Sequence, residues 1–359
     1  MTVFRSTISV FHTMIVILEQ DGVTGYGEAY EDLHTGVTVE RMAQSLLKRE
    51  AELSGYALSD PYAFYCKFCL GPRGLMQENV FASTALEMAA CDLWGKLCNV
   101  PLWRAWKHDM SGVLPVSSYT LGLDSLYRII EKFHDQPGWP IYRVKLGSHE
   151  DMTILRELRK LTNKPFRIDV NGNWTLQQAL EYLDELCDLN IESIEQPLHP
   201  DDWDGMRCLY EKCDIPLIAD ESCRSFEDID RCVGCFHGIN LKPHKFGGLN
   251  RTRLALSRAR ARGFYTMMGS SLLTTVAASA ISQFVPLLDY VYIDGPQLLD
   301  KVEGLGVTVD HGHITMSPVN GVGFFIPPDS RSEQRESSSA ENLEKNDLAN
   351  LVEMQKDDA

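Results

Sequence analysis

Three acids and two lysines in this chain are spaced so that they could work as one site. Asp169, Glu195 and Asp220 follow one another at intervals of 26 and 25 residues, and each closes a short apolar run. Lys145 closes IYRVK and Lys242 closes GINLK. Neighbouring parallel strands lie about 5 Å apart. On such strands the three carboxylates would crowd together, and their repulsion would raise at least one pKa unless a cation relieves it. All-oxygen donors suit one Mg²⁺ per subunit, with Mn²⁺ as a substitute. Any one of these acids alone reads as a structural salt bridge; three in register favour a metal. A lysine that is desolvated, or set beside another cation, loses basicity and can act as a base near neutral pH. Arg143 stands two residues before Lys145, on the same strand face. Such a site would remove the proton on the carbon next to a carboxylate, through an enolate that the metal stabilises. Bases on two faces give racemisation or epimerisation, whereas one base with a leaving group gives elimination.

These residues need a scaffold that sets strand ends in a ring. Eight apolar runs recur at 116–123, 141–147, 166–171, 191–197, 216–222, 238–243, 264–270 and 290–296. Stretches with helical spacing of apolar residues separate them, as in 152–161 and 176–189. This alternation predicts a parallel sheet. Eight such units close a (β/α)₈ TIM-type barrel, here over 116–300, with its active site at the C-terminal strand ends. Residues 1–115 read instead as an α+β capping domain: two antiparallel strands through the turn at Asp21-Gly22, then helices over 37–105. The alternating stretch 306–316 leads 301–327 back to that domain. From 328 to 359 nine acids face four bases, and an acidic, largely disordered tail is expected.

At 359 residues the chain is too long for one small core. Its 44% hydrophobic and 23% charged residues describe an ordinary globular protein. A net charge of −16 argues against nucleic acid or anionic membrane as partner. Positive charge for a carboxylate substrate must therefore be local, from a metal and buried lysines. No apolar run has membrane length and the N-terminus lacks a secretory signal pattern, so a cytoplasmic location is expected. Two cysteine pairs have CxxC spacing, Cys66/Cys69 and Cys232/Cys235, but they lie far apart and read as free thiols rather than a zinc site.

Taken in order, RVK at 143–145, IDVNGNW at 168–174, IEQP at 194–197, ADES at 219–222 and LKPHKFGG at 241–248, with GYGEA at 25–29, resemble the enolase superfamily. The likeness covers about 3–325 and is to the muconate-lactonizing-enzyme subgroup. SSYTLGLDS at 117–125 resembles the dipeptide epimerases within it, of the L-Ala-D/L-Glu epimerase type. The resemblance implies a modified barrel with an N-terminal cap, and Mg²⁺ on Asp169, Glu195 and Asp220 with Asn171 in support. It implies Lys145 and Lys242 as the two bases of a 1,1-proton transfer on a dipeptide. In dipeptide epimerases a DxD motif on strand eight holds the substrate ammonium. Here the stretch is Tyr292-Ile293-Asp294. Asp294 then binds the amine or caps the following turn, with Tyr292 beside it.

Two further departures stand out. Arg143 replaces the first lysine of the family's KxK motif, and Leu273 stands where a glutamate is often seen, in the segment that holds Ser270. Arg143, Asn171, Ser270, Tyr292 and Asp294 are the substrate-side candidates, and altered substrate choice is expected from the departures. Tyr26 and the loop 28–38 either cover the substrate or pack the cap, and His244 and Lys245 either shape the site edge or meet solvent. A cycloisomerase or o-succinylbenzoate-synthase reaction in the same site, or a non-catalytic barrel used as a binding protein, are the rival readings. The partner expected is a small carboxylate; nothing in the sequence selects between a monomer and a homo-oligomer.

Overall fold

The computed structural model describes residues 2–3, 6–7, 12–32, 35–269, 273–298 and 304–327. The tail expected from 328 onward, and Ser270, lie outside these residues. Strands β1 (Thr13–Gln20) and β2 (Val23–Tyr30) form an antiparallel hairpin. Its turn is Asp21 (φ 53°) and Gly22 (φ 75°), the two left-handed residues that a tight hairpin with right-twisted strands requires. Helices α1 (Val39–Leu47) and α3 (Val80–Leu97) pack on it, and α2 (Pro61–Phe68) packs on α3. Helix α3 is buried on nearly every side, which explains its lack of a polar face. It lies directly on β2. A Cβ on Gly25 would sit 2.4 Å from the Ala89 carbonyl oxygen, and one on Gly27 would sit 2.0 Å from that of Ala85. The glycines of GYGEA are therefore a packing requirement.

Eight parallel strands follow: β3 (Tyr119–Leu121), β4 (Tyr142–Lys145), β5 (Phe166–Asp169), β6 (Ile191–Glu195), β7 (Leu217–Ala219), β8 (Gly238–Asn240), β9 (Tyr265–Gly269) and β10 (Tyr290–Tyr292). They pair in chain order, and a Ser117–Val291 bridge joins the two ends of the sheet. Each lies inside one of the eight apolar runs, so the barrel and its N-terminal cap are as expected. Amphipathic helices α4 (Leu126–Asp135), α5 (Asp151–Leu161) and α6 (Leu176–Asp188) cover the first strands. Helix α6 opens with a reciprocal Thr175–Gln178 capping box. Helices α7 (Leu249–Ala261) and α8 (Thr275–Ser282) flank β9.

Two buried carboxylates fasten the cap to the barrel. Glu87 of α3 accepts from the backbone N–H groups of Leu249 (2.5 Å) and Asn250 (3.0 Å), at the start of α7. The residue before that helix is Gly248, whose lack of a side chain leaves the cap to Glu87. Glu28 of β2 accepts from the backbone of Thr274 and of Ala277, each at 3.0 Å, at the start of α8. Near the end of the described chain, β11 (Thr308–Asp310) and β12 (His313–Thr315) form a hairpin. The backbone then meets the N-terminal region: Leu102 donates to the Gly321 carbonyl, and Val322 donates to Asp92. Tyr26 is buried edge-on against Phe324, a packing position within the cap rather than a cover over substrate. No helix among the described residues is long and apolar enough to cross a membrane. All ten cysteines are free.

Candidate active site

The register of the barrel brings the site together. Lys145 pairs with Asp169 and Asp169 with Glu195 across β4, β5 and β6, so three functional residues share one rung. Asp220 lies just past β7. It is held there by Gln196 of the IEQP motif, whose Oε1 accepts from the Asp220 and Ser222 backbones at 3.1 and 3.0 Å. Lys242 lies two residues past β8.

All six oxygens of the acid trio are engaged. Asp169 Oδ1 accepts from Asn171 N at 3.1 Å, and its Oδ2 accepts from Lys145 at 3.0 Å and from Arg143. Glu195 Oε1 accepts from Asn240 at 2.6 Å, and its Oε2 from Arg143 Nε at 3.0 Å. Asp220 Oδ1 meets Lys245 at 2.7 Å and its Oδ2 accepts from Lys242 at 2.5 Å. All three acids are buried. Burial pushes the Asp220 carboxyl up, but Lys242 and Lys245 outweigh it and hold the group well below the usual range. Asp169 is likewise lowered, by Arg143 and Lys145 against burial. At Glu195 burial wins over Arg143 and the carboxyl is raised. Burial opposes charge on Lys242 too, yet Asp220 against it keeps that ammonium well above an ordinary lysine.

Among the described residues no three acid, histidine or cysteine side chains converge at metal-ligand distance; lysines take up Asp169 and Asp220 instead. The donor chemistry nonetheless fits a hard divalent cation. It is all oxygen, it comes from three successive strand ends, and bonds from behind fix its orientation. Asp169 Oδ1, Glu195 Oε1 and both Asp220 oxygens each meet a single donor and so keep a second lone pair.

Around the trio stand residues that the motifs alone did not single out. Asn240 links Glu195 to the Tyr292 hydroxyl, at 2.6 and 2.9 Å. It lies two residues before Lys242, hence on the same strand face, a signal that strand alternation offers. Glu221, next to Asp220, accepts from Asn171 at 3.0 Å and is pushed up to about 7 by burial, Asp220 and Asp169. Lys245 reaches inward and also donates to the main-chain oxygens of Asp220 and Asn240, so it is a fourth cation at the trio rather than an edge residue. His244 turns away, stacked on Phe81 and bonded to the Tyr30 hydroxyl at 3.2 Å. Burial, with Lys242 and Lys245, lowers its pKa to about 3, so it stays neutral. Arg143 and Tyr292 lie in contact beneath the site, and Leu273 is buried in the main hydrophobic core. Asp294 is wholly buried. Its Oδ2 accepts from Thr120 N at 2.6 Å, while its Oδ1 has no partner.

Two family models match the chain: a mandelate racemase / muconate lactonizing enzyme N-terminal domain over residues 2–105, and an enolase C-terminal domain-like region over 126–330. An L-Ala-D/L-amino acid epimerase of Flavobacterium johnsoniae is 35% identical over 325 residues, which is 90% of this chain and 95% of that one. An L-Ala-D/L-Glu epimerase of Bacteroides thetaiotaomicron is 32% identical, over 86% of this chain and 80% of that one. Among solved structures, a substrate-liganded L-Ala-D/L-Glu epimerase from Bacillus subtilis superposes with a TM-score of 0.79 at 25% identity, covering 88% of this chain and 91% of its own. A dipeptide epimerase from Cytophaga hutchinsonii, complexed with Mg and D-Ala-L-Val, shares the fold with a TM-score of 0.79 at 22% identity, over 89% of this chain and 90% of its own.

Proposed function

The chain belongs to the mandelate racemase / muconate lactonizing enzyme family and is an isomerase, and from that premise we propose that it epimerises a dipeptide at the carbon next to a carboxylate. The observation that carries this reading is the placement of two lysines. Lys145 ends β4 beside Asp169, and Lys242 follows β8 beside Asp220, four strands further round an eight-stranded ring. Amines thus flank the acid trio from two sides.

In this reading Asp169, Glu195 and Asp220 hold one Mg²⁺, or Mn²⁺ in its place, with Asn171 in support. When bound, the cation supplies positive charge to the substrate carboxylate. One lysine, as the neutral amine, takes the proton from the α-carbon. The other, as the ammonium, gives a proton to the opposite face, so the pair's total charge is unchanged and the centre is inverted. Asp294 holds the substrate ammonium through its unpartnered oxygen. A cycloisomerase or o-succinylbenzoate-synthase reaction needs no amine anchor, and a buried acid with a free oxygen weighs against it. Ser270 stays a candidate substrate contact.

The test is a panel of dipeptides incubated with the protein and Mg²⁺ in D₂O. Uptake of one deuterium at one α-carbon, with inversion, is expected on some member. Lys145→Ala and Lys242→Ala should each stop inversion, and each should keep exchange only with the epimer that faces the surviving base. A wild-type protein that exchanges no α-proton on any dipeptide would sink the proposal.

A further inference from the structure

A buried guanidinium is costly unless its nitrogens are matched, and Arg143 matches two of its three, since Nη1 is buried without a hydrogen-bond partner. Arg143 is 2% exposed. Its Nε and one terminal nitrogen both donate to Glu195 Oε2, at 3.0 and 2.8 Å, and that nitrogen also donates to Asp169 Oδ2. Its flat face lies on the Tyr292 ring, with Cζ 4.0 Å from the centroid. Tyr292 is fixed in turn. Its hydroxyl accepts from Asn240 Nδ2 at 2.9 Å, and the same amide nitrogen donates to Glu195 Oε1 at 2.6 Å. A closed circuit therefore runs from Arg143 to Glu195, Asn240, Tyr292 and back, and every member is buried.

Neither family residue could complete this circuit. A lysine at 143 has a single donor centre and no plane to stack, and an aspartate at 292 offers no aromatic face. We propose that Arg143 and Tyr292 are a matched pair of positioning residues that clamp Glu195 and Asp169 from beneath the site, and that Tyr292 makes no contact with substrate. The two departures from the family pattern are then one change, each needing the other. Amine recognition falls to Asp294 alone. The inference rests on the reading of Asp169, Glu195 and Asp220 as cation ligands, and deepens it.

The test reads Mg²⁺ affinity by calorimetry on the full chain, independently of turnover. Arg143→Lys and Tyr292→Met, which fills the ring's space without its face, should each weaken Mg²⁺ binding by about tenfold or more. The double variant should be no weaker than the worse single, and Tyr292→Phe, which keeps the face but loses the hydroxyl that Asn240 meets, should fall between Tyr292→Met and wild type. Where Tyr292→Met does not fold, Asn240→Ser carries the same expectation, since it cuts the amide link and spares the ring. Wild-type affinity in the variant used, or effects that add across the pair, would overturn the clamp. In turnover, the clamp variants should lower kcat more than they raise KM; a raised KM with kcat kept would mean substrate contact and also overturn it. A wild type that binds no Mg²⁺ overturns the clamp together with the acid trio. Coupled Mg²⁺ binding without dipeptide turnover supports the clamp and removes only the proposed substrate.

Discussion

On the proposed reading, substrate choice turns on one residue, Asp294. Its side chain bonds across the seam of the barrel to Thr120 N, at 2.6 Å, and so belongs to the ring closure. In the following turn it is the Asp294 carbonyl that accepts, from Gln297 N. Burial pushes its carboxyl up against the Thr120 bond, and Oδ1 is left without a donor. A buried, half-satisfied carboxylate is unstable until a donor, best a cation, meets it. A substrate ammonium would do so. Asp294→Asn keeps an oxygen for Thr120 and removes the charge. It should lower kcat/KM on a free dipeptide by about a hundredfold, the scale of losing one partner of a buried charge pair. The N-acetylated counterpart should lose far less. Equal losses on both substrates would remove the amine role.

Among elements, the strands were legible and the ties between domains were not. Eight apolar runs with polar ends announce a barrel because each strand is buried on both faces and opens to solvent only at its end. Lys145, Asp169, Glu195, Asp220 and Lys242 could be picked out by that rule alone. Glu28 and Glu87 could not, because a helix cap is ordinarily sought within four residues of the helix start. Here the capping carboxylates come from 246 and 162 residues away. The Arg143–Tyr292 contact was hidden for a similar reason: each departure looks like a loss until the two side chains are seen to stack. Glu87→Ala tests the weight of such a cap. It strands the Leu249 and Asn250 N–H groups in a buried seam and leaves the Asn250 amide only the Cys91 sulfur, at 3.5 Å. A loss on the order of 3 kcal/mol is expected in urea unfolding, at about 1–3 kcal/mol for each orphaned donor. Glu28→Gln keeps one acceptor oxygen and should cost less. No loss in Glu87→Ala would mean that the start of α7 finds its partners elsewhere.

At the scale of the whole molecule, Asp92 joins three parts of the chain. Its Oδ2 accepts from Tyr26 N of β2 at 2.9 Å and from Lys96 of α3 at 2.6 Å, while its Oδ1 accepts from Val322 N of the returning segment at 2.8 Å. Burial raises its carboxyl to about 6, above the 3.8 of a free aspartate, although Lys96 opposes the rise. Between these values the folded protein binds more protons at this site than the unfolded chain does, so stability falls as pH rises. The contribution is fully present below about pH 4 and lost once pH passes about 6. A rise of that size corresponds to on the order of 3 kcal/mol. Glu28 and Glu87 are raised by burial in the same direction, so the wild-type curve alone cannot isolate Asp92. Asp92→Asn can. It removes this titration and leaves the others, and it should be clearly less stable than wild type at pH 4. By pH 7 the gap should narrow by about 2 kcal/mol as the wild type pays for ionising a buried acid. Paired urea titrations of the two proteins at those pH values measure the gap directly. A gap that stays constant would show that Lys96 and the two backbone donors fully offset the burial of Asp92, and that this junction takes no part in the pH response of the fold.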